Sequence, residues 1–532
     1  MRIPRKKELL ELQKKYRTDK KIGEVYGVPA RLVAYWRQKK KIGPYSYPKY
    51  TDEKILELWE RYGDDTRAGE ELGISAAGFR QWRRKYKIDS KPIQLRLEQL
   101  ELGLIDMNNR KNSRRETAVQ KILAKASGLK KVEIGQTVST EPDLTMSHEN
   151  TVAVIEKFAD TDKDMVWNAN KIVVVLDKHI PAKSRESAEA QKTIREFVKK
   201  QKIRNFYDYG EGICHQIVIE NGHILPGQLA FGTDKHTSSY GCLGAMATSV
   251  NTDEMGSIWA TGRTVITVPE TVKIVINGHL GKAVYARDIM LKLLRDLSFD
   301  TLNSRAIEFS GPTISSMSIS ARFTMTNVAM EMGAIAAIVP FDEITGRYIK
   351  KITKSRLTPV KPDPDAVYHG EIEVDVSYLT PQVGYSDNAK HVAPIEDATG
   401  KKIDIVVIGS CSSGRIDDLE IAARILRGRR IHRDLRMIIV PGSRKVLSEA
   451  LDKGFIKTFV DSGCVVVNPG CDPCLLANPG NLASGERAIT TTNRALNGDG
   501  AKSDSEIFTA SPATAAATAL EGIIADPRKY DK

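Results

Sequence analysis

Three cysteines in glycine-rich turns place the strongest constraint on how this chain can fold. Cys411 ends a Gly-Ser-Cys turn, and sixty residues later Cys471 and Cys474 form a Gly-Cys-Asp-Pro-Cys motif. A structural zinc site uses four protein ligands, so three cysteines would leave it one ligand short. Three thiolates suit a four-iron cluster, whose fourth iron stays open to bind substrate as a Lewis acid. The alternative for Cys471 and Cys474 is a redox pair or a chance C-x-x-C.

Length and composition indicate a multidomain protein. The 532 residues, 41% of them hydrophobic, are enough for several domains with their own cores. No apolar run has the length of a membrane span or of a signal segment, so we expect a cytoplasmic protein. Six cysteines in so long a chain argue against a disulfide scaffold. Cys242 and Cys464, which lie in no motif, are expected to be buried as small hydrophobic residues.

The positive charge is concentrated at the N-terminus. Residues 1–100 hold 25 Lys and Arg against 14 Asp and Glu, a net charge of +11 out of +13 for the whole chain. The rest of the chain is therefore close to neutral. Such asymmetry is typical of nucleic-acid contact, although a basic surface can also simply be solvated.

The same basic region contains an internal repeat with a period of 46 residues. Each copy predicts an amphipathic helix, a short helix that ends at a glycine, and a third helix that carries Trp and a basic tail. This is the layout of a helix-turn-helix, in which the glycine permits the sharp turn. We expect one repeat over 1–46, a second over 47–88 and a partly helical linker over 89–115. The recurring residues are Tyr16, Gly27, Trp36 and Ile42, then Tyr62, Gly73, Trp82 and Ile88.

The basic tails of the third helices, at 36–41 and 82–87, suggest what the repeats bind. Phosphate contacts need clustered Lys and Arg on one face, which favours DNA binding through residues 1–88. The alternative is a small helical bundle used for protein docking. Under both interpretations Trp36 and Trp82 are expected in the core, because they lie among apolar positions at helical spacing.

Beyond the linker the sequence predicts a parallel-sheet α/β body. Apolar strand-like runs at 171–176 and 403–408 alternate with helical segments at 187–201 and 419–427. Buried strands that alternate with helices are typical of parallel sheets covered on both faces.

The motifs around the cysteines resemble those of a known family. Residues 408–415 read IGSCSSGR and residues 468–474 read NPGCDPC, followed by NPG, SGER and TTNR segments. They resemble the large subunit of the aconitase superfamily, in the branch of 3-isopropylmalate dehydratase, homoaconitase and 2,3-dimethylmalate dehydratase. The resemblance runs from about Glu116 to the C-terminus. It implies a [4Fe-4S] cluster on Cys411, Cys471 and Cys474 within a three-domain α/β/α body, with domains over 116–268, 269–390 and 391–532.

The resemblance also implies the chemistry, which is removal and re-addition of water on a hydroxy acid. A base takes the proton α to a carboxylate, the open iron polarises the departing hydroxyl, and an acid protonates it. Histidines with carboxylate partners suit these roles, because the carboxylate fixes the tautomer. By motif, His215 should pair with Asp234, and His236 with Glu331. Asn327, which matches a substrate-binding position, is expected one helical turn before Glu331 and facing the same pocket.

The third catalytic pair of the family is altered. Where the family has Asp-His-x-x-Pro, this chain has Asp177, Lys178 and His179, so the expected histidine is a lysine. On a strand, a histidine shifted by one place would point to the opposite face. Lys178 could still donate a proton if burial lowered its pKa.

The substrate-binding positions depart further from the family. Lys235 stands where the family has serine, and Ser413 replaces an asparagine beside the first cluster cysteine. Asn493 and Arg494 are kept, but Asp499 occupies the position of a family arginine. An anion in place of a cationic carboxylate clamp should weaken or alter the binding of a dicarboxylate.

Family enzymes also need a swivelling small domain that brings the catalytic serine, and we expect it on a separate small subunit. The sequence thus predicts a hydro-lyase of the 3-isopropylmalate dehydratase or homoaconitase type, acting on a hydroxy di- or tricarboxylic acid. The alternative is a non-catalytic DNA-binding regulator that uses the aconitase-like body as a cluster or ligand sensor. The substitutions at Lys178, Lys235 and Asp499 favour that alternative or an unusual substrate.

Overall fold

The chain folds into two compact units, Met1–Pro92 and Ile93–Lys532. A computed structural model describes residues 4–16, 18–43, 50–62, 65–86, 88, 94–95, 115–297, 299–385, 391–471, 482–493 and 505–530. Within these ranges, none of the helices is both long and apolar enough to cross a membrane.

The first unit consists of two three-helix repeats, as the internal period predicts. Thr18 caps the second helix by accepting a hydrogen bond from the Lys21 N–H (3.3 Å). Gly27 ends that helix in the left-handed conformation (φ 63°), and Gly73 has the equivalent place in the second repeat (φ 64°). The helices span Lys6–Tyr16, Asp19–Tyr26 and Ala30–Lys39, then Asp52–Tyr62, Asp65–Glu71 and Ala76–Lys85.

Each repeat has its own hydrophobic core. Trp36 is buried at the centre of the first, as predicted. Trp82 is only half-buried, because Trp59 from the first helix already fills the centre of the second core, where the first repeat has Gln13. The core residues are Leu9, Ile22, Val33, Trp36 and Ile42 in the first repeat, and Ile55, Leu58, Trp59, Ala68 and Phe79 in the second.

The second unit contains three main sheets with mostly parallel pairing. The first is parallel throughout, in the spatial order Asn205–Tyr207, Ile172–Val175, Leu144–Ser147, Leu229–Gly232 and Met246–Ser249. The second has the order Gln94–Leu95, Gly370–Asp375, Thr271–Asn277, Ala306–Ser310 and Ala336–Ile338, where the first strand pairs antiparallel and the others parallel. The third has the order Val392–Pro394, Gln382–Tyr385, Glu506–Ala510, Arg487–Thr490, Ile405–Gly409, Arg436–Val440 and Val465–Val466, with antiparallel pairing among the first three. Thr137–Thr140 and Thr264–Thr267 form a separate antiparallel pair.

Both faces of the first sheet are covered, as expected for parallel strands. In strand Ile172–Val175, Ile172 and Val174 belong to one hydrophobic core, whereas Val173 and Val175 belong to the core on the opposite face. This alternation produces the continuous apolar run that identifies the strand in the sequence.

The helices that cover the sheets agree with the helical segments predicted from the sequence. The two predicted at 187–201 and 419–427 are observed at Arg185–Gln201 and Ile416–Leu426. The domain boundaries at 268 and 390 remain predictions; strand Gln382–Tyr385 already pairs within the third sheet. The α-helices of this unit are Ala118–Ser127, Thr151–Ala159, Arg185–Gln201, Cys214–Glu220, Thr252–Thr261, Ala286–Asp296, Phe299–Leu302, Pro312–Ser316, Ile319–Val328, Glu343–Lys350, Ile395–Ala398, Ser410–Ser413, Ile416–Leu426, Arg444–Asp452, Phe455–Ser462 and Pro512–Glu521, and the 3-10 helices are Ala169–Lys171, Lys235–Leu243, Ala329–Met332 and Pro527–Lys529.

Candidate active site

Two histidines and two carboxylates form the centre of the candidate site, and they pair as the sequence predicts. His215 Nε2 donates to Asp234 Oδ1 (3.0 Å), and His236 Nε2 donates to Glu331 Oε1 (2.8 Å). His236 Nδ1 also lies 3.1 Å from Asp234 Oδ1. The Asp234 carboxylate therefore joins both predicted pairs into one network.

The fold places this network at the carboxyl edge of the first sheet. Asp234 follows strand Leu229–Gly232 and caps the 3-10 helix Lys235–Leu243 by accepting the His236 N–H (2.8 Å). His215 lies in the first turn of helix Cys214–Glu220, which packs on the same sheet. Ligands and substrates of open parallel sheets bind at this edge, because the loops that follow the strands meet there.

The charges in the network are fixed by mutual hydrogen bonding. Burial alone would raise the pKa of Asp234, but the bonds from His215 and His236 hold it well below its ordinary value. Burial alone would likewise lower the pKa of His236, but Asp234 and Glu331 raise it to about 9. At neutral pH His236 is consequently an imidazolium between two carboxylates, which suits it to donate a proton.

Glu331 also holds Lys235, one of the residues that differ from the family pattern. Lys235 Nζ lies 3.2 Å from Glu331 Oε2, and its side chain remains 43% exposed, whereas the Glu331 side chain is only 2% exposed. The lysine thus adds a positive charge at the accessible side of the network.

The sequence predicts that Asn327 and Glu331 share one helix, but the structure places them in two different elements. Asn327 lies in helix Ile319–Val328, and Glu331 lies in the 3-10 turn Ala329–Met332 that follows it. The change to the tighter 3-10 winding after Val328 rotates Glu331 relative to α-helical spacing. Glu331 consequently reaches His236, while Asn327 donates through Nδ2 to Ser239 Oγ (2.9 Å).

A third histidine, His148, belongs to the network and was missed in the sequence. It follows strand Leu144–Ser147, forms a close ion pair with Glu149, and its Nδ1 lies 3.5 Å from Asp177 Oδ1. Its Nε2 is 3.9 Å from Asp234 Oδ2. Burial would lower the pKa of His148, but Glu149 and Asp177 raise it to about 10. Its position directly after a buried strand, at the same sheet edge as Asp234, is the signal that could have identified it.

Asp177 and Lys178 lie at the end of the neighbouring strand and complete this side of the site. Asp177 is fully buried and accepts the Cys214 N–H through Oδ2 (3.0 Å). Lys178 is also buried and forms an ion pair with Glu149. Burial opposes its charge, but the negative charges of Cys471, Glu149 and Asp177 raise the pKa of Lys178 above its ordinary value.

The condition under which Lys178 was expected to donate a proton, a pKa lowered by burial, is therefore not met. Its neighbours outweigh the desolvation, so Lys178 is a fixed cation at neutral pH. His179 has a positive φ of 54° and its carbonyl accepts a bond from Gln191 Nε2 (2.8 Å). It lies in the loop beyond strand Ile172–Val175 rather than on a strand, so the argument from strand alternation does not apply to it.

Cys411 and Cys471 both border this region, whereas Cys474 lies outside the described residues. The Cys471 N–H donates to the Asp177 carbonyl (2.8 Å), and the charge of its thiol acts on Lys178. Cys411 is 6% exposed and belongs to the same hydrophobic core as Cys214. Cys411 lies in the short helix Ser410–Ser413, and Cys471 follows strand Val465–Val466.

The surroundings of Cys411 fit the predicted cluster. Ser410 Oγ and Ser413 Oγ flank Cys411, are buried, and have no hydrogen-bond partner among the described residues. Buried hydroxyls are normally bonded, so such atoms point to a group that this structure does not contain. Ser410 also adopts a positive φ (63°) after Gly409 (φ 127°), a strained turn of the kind found at ligand sites.

Two other groups of side chains could hold a metal ion by distance alone. They are His148, Asp177 and Cys214, and His215, Asp234 and His236, and within each group the ligand atoms lie within 4.8 Å of one another. Burial and Asp177 raise the pKa of the Cys214 thiol well above its ordinary value. In the second group, hydrogen bonds already join the three side chains.

The predicted substrate residues are described only in part. Arg494 and Asp499 lie outside the described residues. Asn493 and Asn327 are fully buried, and Asn493 Nδ2 donates to Asn327 Oδ1 (2.7 Å). Arg287, which the sequence did not single out, donates to Asn493 Oδ1 (2.6 Å). The three residues connect helices Ala286–Asp296 and Ile319–Val328 to the loop that precedes Arg494.

Comparison with known proteins identifies relatives over this second unit. Residues 120–522 match the model of the aconitase family (aconitate hydratase). The 3-isopropylmalate dehydratase large subunit 1 of Methanopyrus kandleri is 42% identical over 416 residues, which is 78% of this chain and 99% of that protein. The methanogen homoaconitase large subunit of Methanocaldococcus jannaschii is 40% identical, over 77% of this chain and 99% of its own. The crystal structure of Thermococcus kodakaraensis aconitase X (holo-form) aligns over 75% of this chain and 93% of its own, with a TM-score of 0.43 and 13% identity.

Proposed function

We propose, since this chain belongs to the aconitase family, that it is the large subunit of a hydro-lyase that removes and re-adds water on a hydroxy di- or tricarboxylic acid. The relatives named above are large subunits of 3-isopropylmalate dehydratase and homoaconitase, and their chemistry is the class that we assign to this chain. The single observation that carries the proposal is the network of His236 between Asp234 and Glu331. His148 and Asp177 link this network to the backbone of Cys471, so a hydroxy acid bound there would meet both an acid and a metal held by the cysteines.

His236 is the proposed acid that protonates the departing hydroxyl. Its pKa of about 9 keeps it protonated at neutral pH, and its two carboxylate partners fix the ring. Because both ring nitrogens are bonded to carboxylates, the ring must turn from one of them to reach a substrate. We propose that the ring turns away from Glu331, because the Lys235 ammonium can still pair with the Glu331 carboxylate after His236 has moved.

Cys411, Cys471 and Cys474 are the proposed ligands of a [4Fe-4S] cluster. When bound, that cluster would supply a Lewis acid for the hydroxyl of the substrate. The orphaned hydroxyls of Ser410 and Ser413 support this assignment, because they are buried within two residues of Cys411 and have no hydrogen-bond partner among the described residues. Lys178 serves the same site as a fixed cation, since its ammonium offsets the negative charge that thiolates bring to a buried position.

The proton acceptor and further substrate contacts are proposed to come from a small subunit. Among the described residues of the site, the carboxylates are all occupied by histidines or lysines, so a general base of this chain is not evident. For substrate choice we propose that Asp499 disfavours 3-isopropylmalate, whereas Lys235 contributes to binding the true substrate. Asp499→Arg should then lower the KM for 3-isopropylmalate, and Lys235→Ser should raise the KM for the true substrate.

The alternative of a purely non-catalytic regulator is less well supported. A sensor needs the cysteines but not an imidazolium held between two buried carboxylates. The similarity to enzyme subunits also covers the whole body of the relatives. We therefore favour the dehydratase.

The decisive experiment is anaerobic co-purification with a candidate small subunit, followed by a dehydration assay over a panel of 2- and 3-hydroxy diacids. We expect about four iron and four sulfide ions per chain in the wild type and in the control Cys464→Ser. Cys464 is buried in a hydrophobic core and belongs to no motif, so its substitution tests general damage. Cys471→Ser should lose the cluster, while His236→Gln should keep the iron and lose turnover.

Two results would contradict the proposal. Full iron content in Cys471→Ser would contradict the assignment of Cys471 as a cluster ligand. Wild-type turnover retained in His236→Gln would remove His236 as the acid. Iron-loaded wild type that converts no hydroxy acid with its small subunit would instead favour the sensor.

A further inference from the structure

The two helical repeats of the first unit contain the same buried ion pair and differ on one outer face. In each repeat an arginine of the third helix is buried against an aspartate that begins the second helix. Arg37 Nε donates to Asp19 Oδ1 (2.7 Å), and Arg83 Nε donates to Asp65 Oδ1 (2.8 Å). These arginines hold the third helix on the second. Arg37 and Arg83 therefore do not contribute to phosphate binding by the basic tails, because a buried, paired guanidinium is not available to phosphate.

The turn between the second and third helices is tight in both repeats. A Cβ on Gly23 would lie 2.3 Å from the Val28 carbonyl oxygen, and a Cβ on Gly69 would lie 2.7 Å from the Ile74 carbonyl oxygen. Only glycine allows this approach, and it brings the third helix across the second. This is the packing of a helix-turn-helix, which leaves the outer face of its third helix accessible.

The outer faces of the two third helices are basic and polar. Neither Ala30–Lys39 nor Ala76–Lys85 contains an acidic residue. Tyr35, which is 53% exposed, is the one large apolar side chain that the described part of these two helices exposes. An apolar docking surface is therefore not what they offer to a partner. The exposed side chains are Arg31, Tyr35, Gln38 and Lys39 in the first repeat, and Arg80, Gln81, Arg84 and Lys85 in the second, where Arg80 is also paired with Asp65 (2.8 Å).

We propose that these two faces bind duplex DNA, with each third helix in a major groove. Arginine and glutamine are the side chains that make paired hydrogen bonds to guanine and adenine edges there, and lysine supplies phosphate contacts. The net charge of +11 over residues 1–100 complements the DNA backbone. This function is independent of the dehydratase, because it uses none of the residues of the second unit.

The two faces also differ from each other at the positions that would meet the bases. Tyr35 of the first repeat corresponds to Gln81 of the second, and Gln38 corresponds to Arg84. Two identical recognition helices would select two identical half-sites, whereas the two third helices of this unit would select different half-sites. The preferred DNA is consequently a two-part site without internal symmetry.

The test uses the full chain and a fluorescent duplex of about 30 base pairs, long enough for two major-groove contacts a helical turn or more apart. A random-sequence pool serves for selection, and anisotropy measures affinity between about 50 and 200 mM salt. The variant Arg31→Ala/Arg84→Ala removes one exposed cation from each face. Its matched control, Arg433→Ala/Lys457→Ala, removes two exposed cations from the second unit, where their side chains are 90% and 78% exposed.

We expect wild-type binding that weakens steeply with salt, and a loss of roughly tenfold or more in Arg31→Ala/Arg84→Ala. The control should stay within about twofold, and all variants should keep the wild-type circular dichroism. Selection should return a two-part, non-palindromic sequence. The absence of duplex binding by folded wild type at about 50 mM salt would overturn the proposal and favour protein docking. An equal loss of affinity in the control would overturn it as well, because binding would then follow net charge alone.

Discussion

Replacing Asp234 with asparagine tests the central network most directly. The substitution removes one charge and keeps the size of the side chain. Asp234 Oδ1 accepts from His215 Nε2 (3.0 Å), His236 Nδ1 (3.1 Å) and the His236 N–H (2.8 Å). A hydrogen bond to a charged group contributes about 1.5–3 kcal/mol and one to a neutral group about 0.5–1.5 kcal/mol. The charge on Asp234 thus favours the His236 imidazolium by about 1–1.5 kcal/mol, which is about one pKa unit.

The pKa of His236 should accordingly fall from about 9 by that amount in Asp234→Asn. An acid works only while protonated, so activity is lost as the pH rises through this pKa. The alkaline limb of the kcat profile, measured with the small subunit present, should move to lower pH by about one unit. At pH 7 we also expect kcat to fall roughly tenfold or more, because the ring loses its fixed orientation.

The matched control for this experiment is Glu343→Gln. Its carboxylate is 85% exposed and faces only Arg347 at 3.9 Å, so the pH profile should not change. The reasoning would be refuted if Asp234→Asn, with full iron content, kept both its kcat and the position of its alkaline limb. His236 would then not be the acid that limits activity at high pH.

Two further substitutions test buried charges elsewhere in the chain. Arg83→Met should destabilise the second helical repeat by about 1–3 kcal/mol, because it removes the buried partner of Asp65 and leaves only the half-exposed Arg80, 2.8 Å from Asp65 Oδ2. The exposed Arg84→Met should change stability by less than about 0.5 kcal/mol; hydrogen exchange over 65–86 in the full chain measures both, and equal protection in the two variants would contradict the buried pair. Glu308→Gln should raise the apparent Tm at pH 8 and leave it nearly unchanged at about pH 4, below the ordinary pKa of a glutamate. Burial raises the pKa of Glu308 above its ordinary value, so the stability of the folded state that depends on its proton is complete below the ordinary pKa and is lost as the pH rises through the raised one. Glutamine carries no charge at either pH and can still bond the Tyr368 hydroxyl, which lies 2.8 Å from Glu308 Oε2; an increase of the same size at the acidic pH would show that this titration is not responsible.

The sequence predicted the family and the main partners in the site, because both rest on local motifs. The match of residues 120–522 to the aconitase family confirms the resemblance drawn from the motifs around Cys411 and Cys471. The pairs of His215 with Asp234 and His236 with Glu331 also follow from motifs. What no motif contains is the sharing of Asp234 by both histidines, which arises only when the turn after strand Leu229–Gly232 meets helix Cys214–Glu220.

The parts that the sequence did not predict depend on which strands are neighbours. His148 has no motif of its own, and it joins the network because strand Leu144–Ser147 lies between Ile172–Val175 and Leu229–Gly232 in the sheet. The sequence could not predict the charge of Lys178 either. Burial alone argues for a lowered pKa, and only the positions of its acidic neighbours reverse the sign.

The balance of charge in the site indicates what its substrate must bring and what a partner must supply. Within the described residues, four carboxylates face four cations, so the site is close to neutral before any cluster or substrate binds. Thiolates and a dicarboxylate would each add negative charge at positions where water is largely excluded, and an uncompensated buried charge costs several kcal/mol. If Asp499 lies near the substrate, as the motif implies, it adds one more negative charge to the site. We expect the additional positive charge to come from Arg494 and from a small subunit, beyond the buried Arg287 that is bonded to Asn493. Under the proposed function, the partner would then contribute to binding the substrate as well as to the proton transfer. The side chains counted are Glu149, Asp177, Asp234 and Glu331 against His148, Lys178, Lys235 and His236.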